Sequence, residues 1–223
     1  MRLTRPTILA AVGLFAAALV ARPRLRNWGA TPRDRYRRLP GDGRVPGERG
    51  TCTMAIDISA PAAAIWPWLA QMGVGRGGWY SWDRLDNGGH ASARVLNPEW
   101  TEIHEGDRLP TVPGRSWFDV VHVEPNRSLV LRSSLDRHGR PFDPADGRPR
   151  AFVDGRWEFF LDERHGTTRL LARAGGTAGP RPLTDLVDWL FGQPAHLVMQ
   201  HRQLHQLRAR AELTAQAPSR NGG

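Results

Sequence analysis

Residues 61–86 read PAAAIWPWLAQMGVGRGGWYSWDRLD, which predicts a helix, a glycine-rich turn and then a group of aromatic residues. Pro61 suits the first turn of a helix, and the apolar residues after it are spaced for an amphipathic helix. Glycines at positions 73, 75, 77 and 78 allow the chain to bend sharply after that helix. The bend would bring five aromatic side chains together: Trp66, Trp68, Trp79, Tyr80 and Trp82. We therefore predict an aromatic wall at this place in the fold.

A half-buried strand precedes the predicted helix. Between Thr51 and Ile58 apolar and polar residues alternate, and a period of two is typical of a strand with one face in the core. Cys52 belongs to the apolar face and is the only cysteine of the chain, so no intrachain disulfide can form. We expect it to be a small buried hydrophobic residue.

The rest of the pattern predicts several antiparallel strands and a long final helix. From Leu183 the apolar residues change to a helical period, and after an interruption at Gly192 and Pro194 a longer helix follows. Its apolar face carries Leu197, Leu204, Leu207 and Ala211. Strands are predicted at 100–104, 108–112, 117–124, 128–133, 151–162 and 167–174. This order of elements is that of an α+β helix-grip fold, in which a curved antiparallel sheet wraps a long C-terminal helix and a cavity lies between them.

Alternation is clearest in the strand predicted at 151–162. An antiparallel sheet commonly leaves one face in water, so we expect the charged residues of this strand to be solvated. The inward residues would be Val153, Trp157, Phe159 and Leu161, and the outward residues would be Asp154, Arg156, Glu158 and Asp162.

Further short motifs lie outside the opening stretch: Trp28-Gly29-Ala30-Thr31, Leu39-Pro40-Gly41-Asp42, Asn97-Pro98-Glu99-Trp100, Gly106-Asp107 and the late helix from Pro194 to Glu212. With residues 61–83 they resemble the SRPBCC, or START-like, superfamily of polyketide cyclases/dehydrases and lipid-transport proteins, and more narrowly a bacterial branch of it. The resemblance covers residues 28–212. It implies the helix-grip fold, whereas the activity differs among members of the superfamily.

The formal net charge of +9 is concentrated near the N-terminus. Residues 1–49 carry 11 arginines and 3 acidic residues, whereas residues 50–223 carry 20 arginines and 19 acidic residues. The globular part is therefore almost neutral, and no nucleic-acid partner is predicted.

An uncharged apolar run at residues 8–21 follows Arg2 and Arg5. It fits either a cleaved signal peptide or a membrane anchor, although it is shorter than the roughly 20 residues of a straight span. The arginines between residues 22 and 38 oppose translocation and would be attracted to anionic lipid headgroups. We therefore expect a retained single-pass anchor at the cell membrane, with the globular domain in the cytoplasm.

We predict four parts of the chain: a hydrophobic segment with basic flanks at 1–26, an extended linker at 27–50, the SRPBCC/START-like domain at 51–213 and a disordered tail at 214–223. The linker is rich in arginine, proline and glycine, as irregular segments are. The resemblance implies that it packs along the domain.

Three motifs with chemical associations have simpler interpretations. Residues 73–78 fit G-x-G-x-x-G, but a nucleotide-binding loop needs a strand before it and a helix after it, so we interpret them as a turn. His201 and His205 are four residues apart on the last helix, yet no third ligand is apparent and no metal is predicted. Asp83 and Asp86 fit either an acid/base pair or capping residues.

The leading hypothesis is a membrane-tethered domain that binds a hydrophobic small molecule or lipid in its cavity, without catalysis and without a cofactor. The many aromatic residues motivate it, because apolar pockets with a few polar groups are the usual small-molecule sites. For Asp83 we favour a structural contact with Arg76 that fixes the turn. The candidate ligand-binding residues are Trp79, Tyr80, Trp82, Asp83, Arg132, Trp157 and His201.

The alternative hypothesis is an enzyme of the cyclase/dehydratase type that acts on a hydrophobic, polyketide-like substrate. Its acid/base groups would be Asp83, His104 and His201. The sequence contains no G-x-S-x-G nucleophile elbow. A third hypothesis is a membrane-proximal interaction module whose cavity is filled by side chains.

Overall fold

A six-stranded antiparallel sheet forms the centre of the computed structural model, which describes residues 23–181 and 183–216. The strands are β1 (Arg49–Ile58), β2 (Arg108–Val112), β3 (Ser116–Glu124), β4 (Ser128–Asp136), β5 (Phe152–Arg164) and β6 (Thr167–Gly179), in the spatial order β1-β6-β5-β4-β3-β2. The helices are α1 (Pro32–Tyr36), α2 (Ala62–Ala70), α3 (Asp83–Asp86), α4 (Leu183–Val187) and α5 (Gln193–Gln216). A π-helical turn, Asp188–Gly192, joins α4 to α5.

The helix-grip fold predicted from the sequence is confirmed. The sheet curves round α5, and α5 packs against α2 and β1. We call the face of the sheet toward α5 the inner face and the opposite face the outer face. The inner face carries the main core, which includes Cys52, Met54 and Ile56 of β1, Phe159 and Leu161 of β5, and Leu204 and Leu207 of α5. The apolar faces predicted for the first strand and the last helix are therefore both buried.

The prediction of a strand at 100–104 is wrong. A short 3₁₀ turn, Pro98–Trp100, includes the first residue of this range, and the residues after the turn are irregular. The Asn97 side chain accepts a hydrogen bond from the Glu99 backbone N–H at 3.1 Å, which caps this turn. Proline at the first position fixes φ in the helical range, so the local sequence favours a turn over a strand.

Among the described residues, no helix is both long enough and apolar enough to cross a bilayer. The apolar run at 8–21, which we predict to be an anchor, lies outside them. At the other end α5 continues to Gln216, and residues 217–223 of the predicted tail also lie outside the described part. The division of the chain into four parts stays a prediction.

The expectation that the outer face is solvated is wrong for most of β5. The exposed fractions of Asp154, Arg156 and Glu158 are 0, 3 and 0 %. Residues 27–48, which we call the covering segment, make contacts with this face and include α1. A second, smaller core forms beneath the segment from Leu39, Ala55, Phe160 and Leu171.

The buried charges of the outer face pair with acidic residues of the covering segment. Asp42 accepts hydrogen bonds from Arg156 at 2.8 Å and from Arg173 at 2.8 and 3.1 Å. Arg156 also lies 2.8 Å from Glu48 and 3.0 Å from Glu158. Burial raises the pKa of Glu158 to about 7, although a backbone N–H and Arg156 favour its charged form. A network of ion pairs therefore fixes the segment to the sheet.

The covering segment passes the edge strand β1 at Gly29. The backbone N–H of Ala55 donates a hydrogen bond to the carbonyl oxygen of Trp28 at 3.0 Å, so part of the open edge of β1 is satisfied. Gly29 has a φ of +70°, and a Cβ at this position would overlap the carbonyl oxygen of Ala55. Glycine is thus required here both for its backbone conformation and for its size.

Gly29→Ala is expected to lower the free energy of unfolding by about 2 kcal/mol, because it combines left-handed backbone strain with a collision against β1. Gly43→Ala is the matched control, since Gly43 has a φ of +80° and a Cβ there would have no neighbour within 4 Å. Its expected cost is about 1 kcal/mol, from backbone strain alone. Urea unfolding followed by tryptophan fluorescence measures both values, and equal costs would contradict the close packing of Gly29 on β1.

Candidate functional site

A cavity of about 1170 Å³ lies between the inner face and the helical region that includes α4 and α5. Where β6 lines it, this strand contributes small residues, and β5 adds a glycine opposite them, so this part of the space is not filled by side chains from the sheet. These small lining residues are Gly155, Ala174, Gly176 and Ala178. The hypothesis of a cavity closed by side chains is therefore not supported.

Three aromatic rings form one wall of the cavity. The rings of Trp79 and Trp157 are stacked, with centroids 5.7 Å apart and planes 24° apart, and Phe118 lies 5.5 Å from Trp79. The indole N–H of Trp157 donates a hydrogen bond to the side-chain oxygen of Gln200 on α5 at 2.6 Å. Gln203 donates in turn to the carbonyl oxygen of Trp79 at 2.9 Å. The aromatic wall is thus tied to α5 by satisfied polar groups.

The glycine-rich turn places Trp79 in this wall. Gly73 and Gly78 exchange two backbone hydrogen bonds, of 3.2 and 3.0 Å, and both have positive φ angles. The interpretation of residues 73–78 as a turn rather than a nucleotide-binding loop agrees with this geometry.

Tyr80 and Trp82, which follow Trp79, do not line the cavity. Tyr80 is 1 % exposed and accepts a hydrogen bond from the Gln71 amide at 2.9 Å. Burial raises the pKa of Tyr80 to about 12, although the bond from Gln71 opposes this change. Trp82 is 43 % exposed, and the guanidinium of Arg202 lies 4.2 Å from its ring centroid. Trp79, Tyr80 and Trp82 therefore face the cavity, the core and the solvent, respectively.

Asp83 stabilises the loop after the aromatic residues instead of facing the cavity. Its Oδ1 accepts hydrogen bonds from the backbone N–H and the hydroxyl of Ser92, at 3.1 and 2.6 Å. The predicted contact with Arg76 is not formed. Arg76 donates instead to the carbonyl oxygens of Ala70 and Trp100, at 3.0 and 3.3 Å. Both side chains fix the turn region, but through separate partners.

Arg132 and His201 also lie away from the cavity. Arg132 is on the outer face of β4, where it donates two hydrogen bonds to Asp154 at 3.0 and 2.9 Å. His201 is exposed on α5, and its ring centroid lies 4.3 Å from that of Trp28. Of the seven candidate residues, the structure brings only Trp79 and Trp157 to the cavity wall.

The acid/base groups of the enzyme hypothesis do not converge. The side chain of His104 is 75 % exposed and borders a separate groove of about 420 Å³. Asp83 and His201 are engaged by Ser92 and Trp28, as described above. Within the described ranges, no cluster of three or more histidine, cysteine, aspartate or glutamate side chains could hold a metal ion.

Asp86 and His196 are titratable residues of the cavity lining that were not chosen from the sequence as ligand-binding residues. Burial raises the pKa of Asp86, and the nearby Ser81 hydroxyl lowers it in part. Burial lowers the pKa of His196, and the Asp188 carboxylate opposes this change. One feature of the sequence could have indicated that His196 is partly buried. It directly precedes Leu197, which belongs to the apolar face predicted for the final helix.

No family model and no curated protein matches the chain. Solved structures similar to it include an aromatase/cyclase from Streptomyces sp. R1128, which is 13 % identical with a TM-score of 0.37 and aligns over 77 % of this chain and 98 % of its own. A polyketide-cyclase-like protein from Corynebacterium glutamicum is 16 % identical with a TM-score of 0.32, over 74 % and 89 % of the two chains. A Mesorhizobium loti protein is 17 % identical with a TM-score of 0.41, over 74 % and 98 %.

Two of these three neighbours are described as an aromatase/cyclase and a polyketide-cyclase-like protein, which is the kind of protein that the resemblance predicted. At these identities the likeness concerns the fold alone. The strand order and the position of α5 carry the helix-grip assignment independently of it.

Proposed function

We propose that the chain binds a hydrophobic small molecule or lipid in the cavity between α5 and the sheet, and that it performs no reaction on this ligand. The observation that carries the proposal is the cavity of about 1170 Å³ with its wall of Trp79, Phe118 and Trp157. Apolar cavities of this size with a few polar groups are typical of small-molecule sites. Binding without catalysis is favoured because Asp83, His104 and His201 lie apart from one another and outside the cavity lining.

The proposal includes a tether to the cell membrane through residues 8–21, with the domain on the cytoplasmic side. Large apolar side chains near the cavity are exposed, which supports exchange of a ligand with a bilayer. They are Leu85, Val153, Leu186 and Leu190, with exposed fractions between 46 and 76 %. Arg26 lines the cavity and donates hydrogen bonds to the carbonyl oxygens of Gly50 and Thr51. The predicted anchor would thus join the domain beside the cavity.

Native mass spectrometry of the purified full chain tests this function. We expect a stoichiometric adduct, and extraction with organic solvent followed by mass analysis would identify its chemical class. Membrane and soluble fractions of the producing cells would be compared in the same experiment to test the tether. A chain that carries no adduct and binds no lipid or apolar dye after delipidation would contradict the binding proposal.

A further inference from the structure

Three polar side chains of the cavity have atoms without a hydrogen-bond partner. In the described structure these atoms are Oγ of Ser81, both carboxylate oxygens of Asp86 and Nε2 of His196, and all are shielded from solvent. The Ser81 hydroxyl and the backbone N–H groups of Trp82 and Asp86 are close enough to lower the pKa of Asp86, but none of them forms a hydrogen bond of normal geometry with its carboxylate. Buried polar atoms in native proteins nearly always have a partner. These atoms therefore indicate a place where a ligand supplies the missing hydrogen bonds.

The neighbours of Asp86 and His196 leave their polar atoms available. Asp83, the nearest other acidic residue on α3, is bonded to Ser92 and does not compete for a partner of Asp86. The ring centroid of His196 lies 6.0 Å from that of Trp157, so the imidazole borders the aromatic wall. Burial favours its neutral form, in which one ring nitrogen donates and the other accepts.

The charges of the lining disfavour an anionic ligand. Its described arginines are already engaged: Arg26 with the backbone of β1, Arg49 with Asp185 at 3.2 Å, and Arg156 with the ion pairs of the outer face. Each guanidinium of the described lining thus already has an acceptor, and those of Arg49 and Arg156 are also paired with carboxylates. Asp86 adds an acidic group without a counter-ion, and an anion beside it would be repelled.

We propose that Ser81 and Asp86 form a polar subsite of the cavity that binds a hydroxyl group, so that the ligand is an uncharged apolar molecule with at least one hydroxyl, and that His196 is a second polar position of the lining. A hydroxyl both donates and accepts. It can therefore donate to a carboxylate oxygen of Asp86 and accept from the hydroxyl of Ser81. This inference rests on the proposed function, since it names the class of molecule that the same cavity holds.

Three fluorescent probes of nearly equal size test the subsite: 1-pyrenebutanol, 1-pyrenebutyric acid and 1-butylpyrene, each titrated into the purified full chain at pH 7. Energy transfer from tryptophan to pyrene reports binding. We expect 1-pyrenebutanol to bind about tenfold more tightly than either of the other two, because its hydroxyl supplies hydrogen bonds that the buried polar atoms otherwise lack. Equal affinities for all three would overturn the subsite and leave the binding cavity standing. Absence of binding for all three would count against both proposals.

Substitution of Asp86 distinguishes hydrogen bonding at the subsite from unspecific apolar binding elsewhere in the cavity. Asp86→Leu should weaken 1-pyrenebutanol about tenfold and change the affinity for 1-butylpyrene by less than twofold. Asp86→Asn keeps the size and one acceptor, so it provides a second variant if the leucine variant fails to fold. Asp146→Leu, on an exposed 3₁₀ turn, is the matched control. Tighter binding of 1-pyrenebutyric acid than of 1-pyrenebutanol by the unaltered chain would overturn the inference.

Discussion

Arg156→Ala is expected to lower the free energy of unfolding by roughly 3 kcal/mol. The arginine is 3 % exposed and lies within 3.0 Å of Asp42, Glu48 and Glu158 at once. Its removal takes the shared cation from Glu48 and Glu158, whereas Asp42 keeps Arg173, and a buried unpaired charge is among the most destabilising changes known. We place the loss at the lower end of the range for broken buried ion pairs. The reason is that Glu158, whose pKa is already raised to about 7, can take up a proton.

Arg164→Ala is the matched control for this variant. Arg164 belongs to the same strand and pairs with Asp162 at 3.3 Å, but its side chain is 61 % exposed. Exposed ion pairs contribute little, so the expected change is below about 0.5 kcal/mol. Urea unfolding at pH 7, followed by circular dichroism, compares the two. Similar small losses for both variants would mean that the covering segment is held by apolar packing rather than by its ion pairs.

This network also explains why the outer face could not be predicted. Alternation in the strand predicted at 151–162 correctly separates its two faces, because the period of side chains in a strand is two. It does not reveal what covers each face. Asp42 and Arg156 are 114 residues apart in sequence, and no local pattern connects them. The charged residues of this strand therefore predicted a solvated face, whereas the covering segment packs on that face.

The candidate site shows the same limit. Trp79 and Trp157 could be selected from the abundance of aromatic residues, but the phase of β4 could not be determined. Leu129, Val130 and Leu131 are all buried, so the residues before Arg132 show no alternation. Its place on the outer face follows only from its pairing with Arg156 across the two strands. Asp86 reaches the cavity because of the way the chain turns before α3, and His196 reaches it because of the way α5 docks on the sheet. Both are tertiary features that a local sequence pattern does not predict.

Gly155→Phe is expected to weaken the binding of an uncharged apolar dye such as Nile red at least thirtyfold, or about 2 kcal/mol. Gly155 lines the cavity between Val153 and Trp157 on the inner face. A Cβ at this position would lie 3.6 Å from its nearest neighbour, the carbonyl oxygen of Gly175, which is an ordinary contact. The phenyl ring would therefore enter the space of the ligand without displacing the backbone.

The stability of this variant should not fall together with its affinity for the dye, and this contrast gives the test its strength. Glycine within a strand is unfavourable, so phenylalanine at position 155 should leave the free energy of unfolding unchanged or raise it by up to about 1 kcal/mol. Gly176→Phe, on the neighbouring strand, would place a Cβ 2.7 Å from the carbonyl oxygen of Asp154 and should lower stability. Thr167→Phe, at the exposed far end of the same hairpin, should affect neither property. Nile red binding that survives in a stable Gly155→Phe variant would place the ligand elsewhere, because only a molecule bound beside β5 must compete with the new ring.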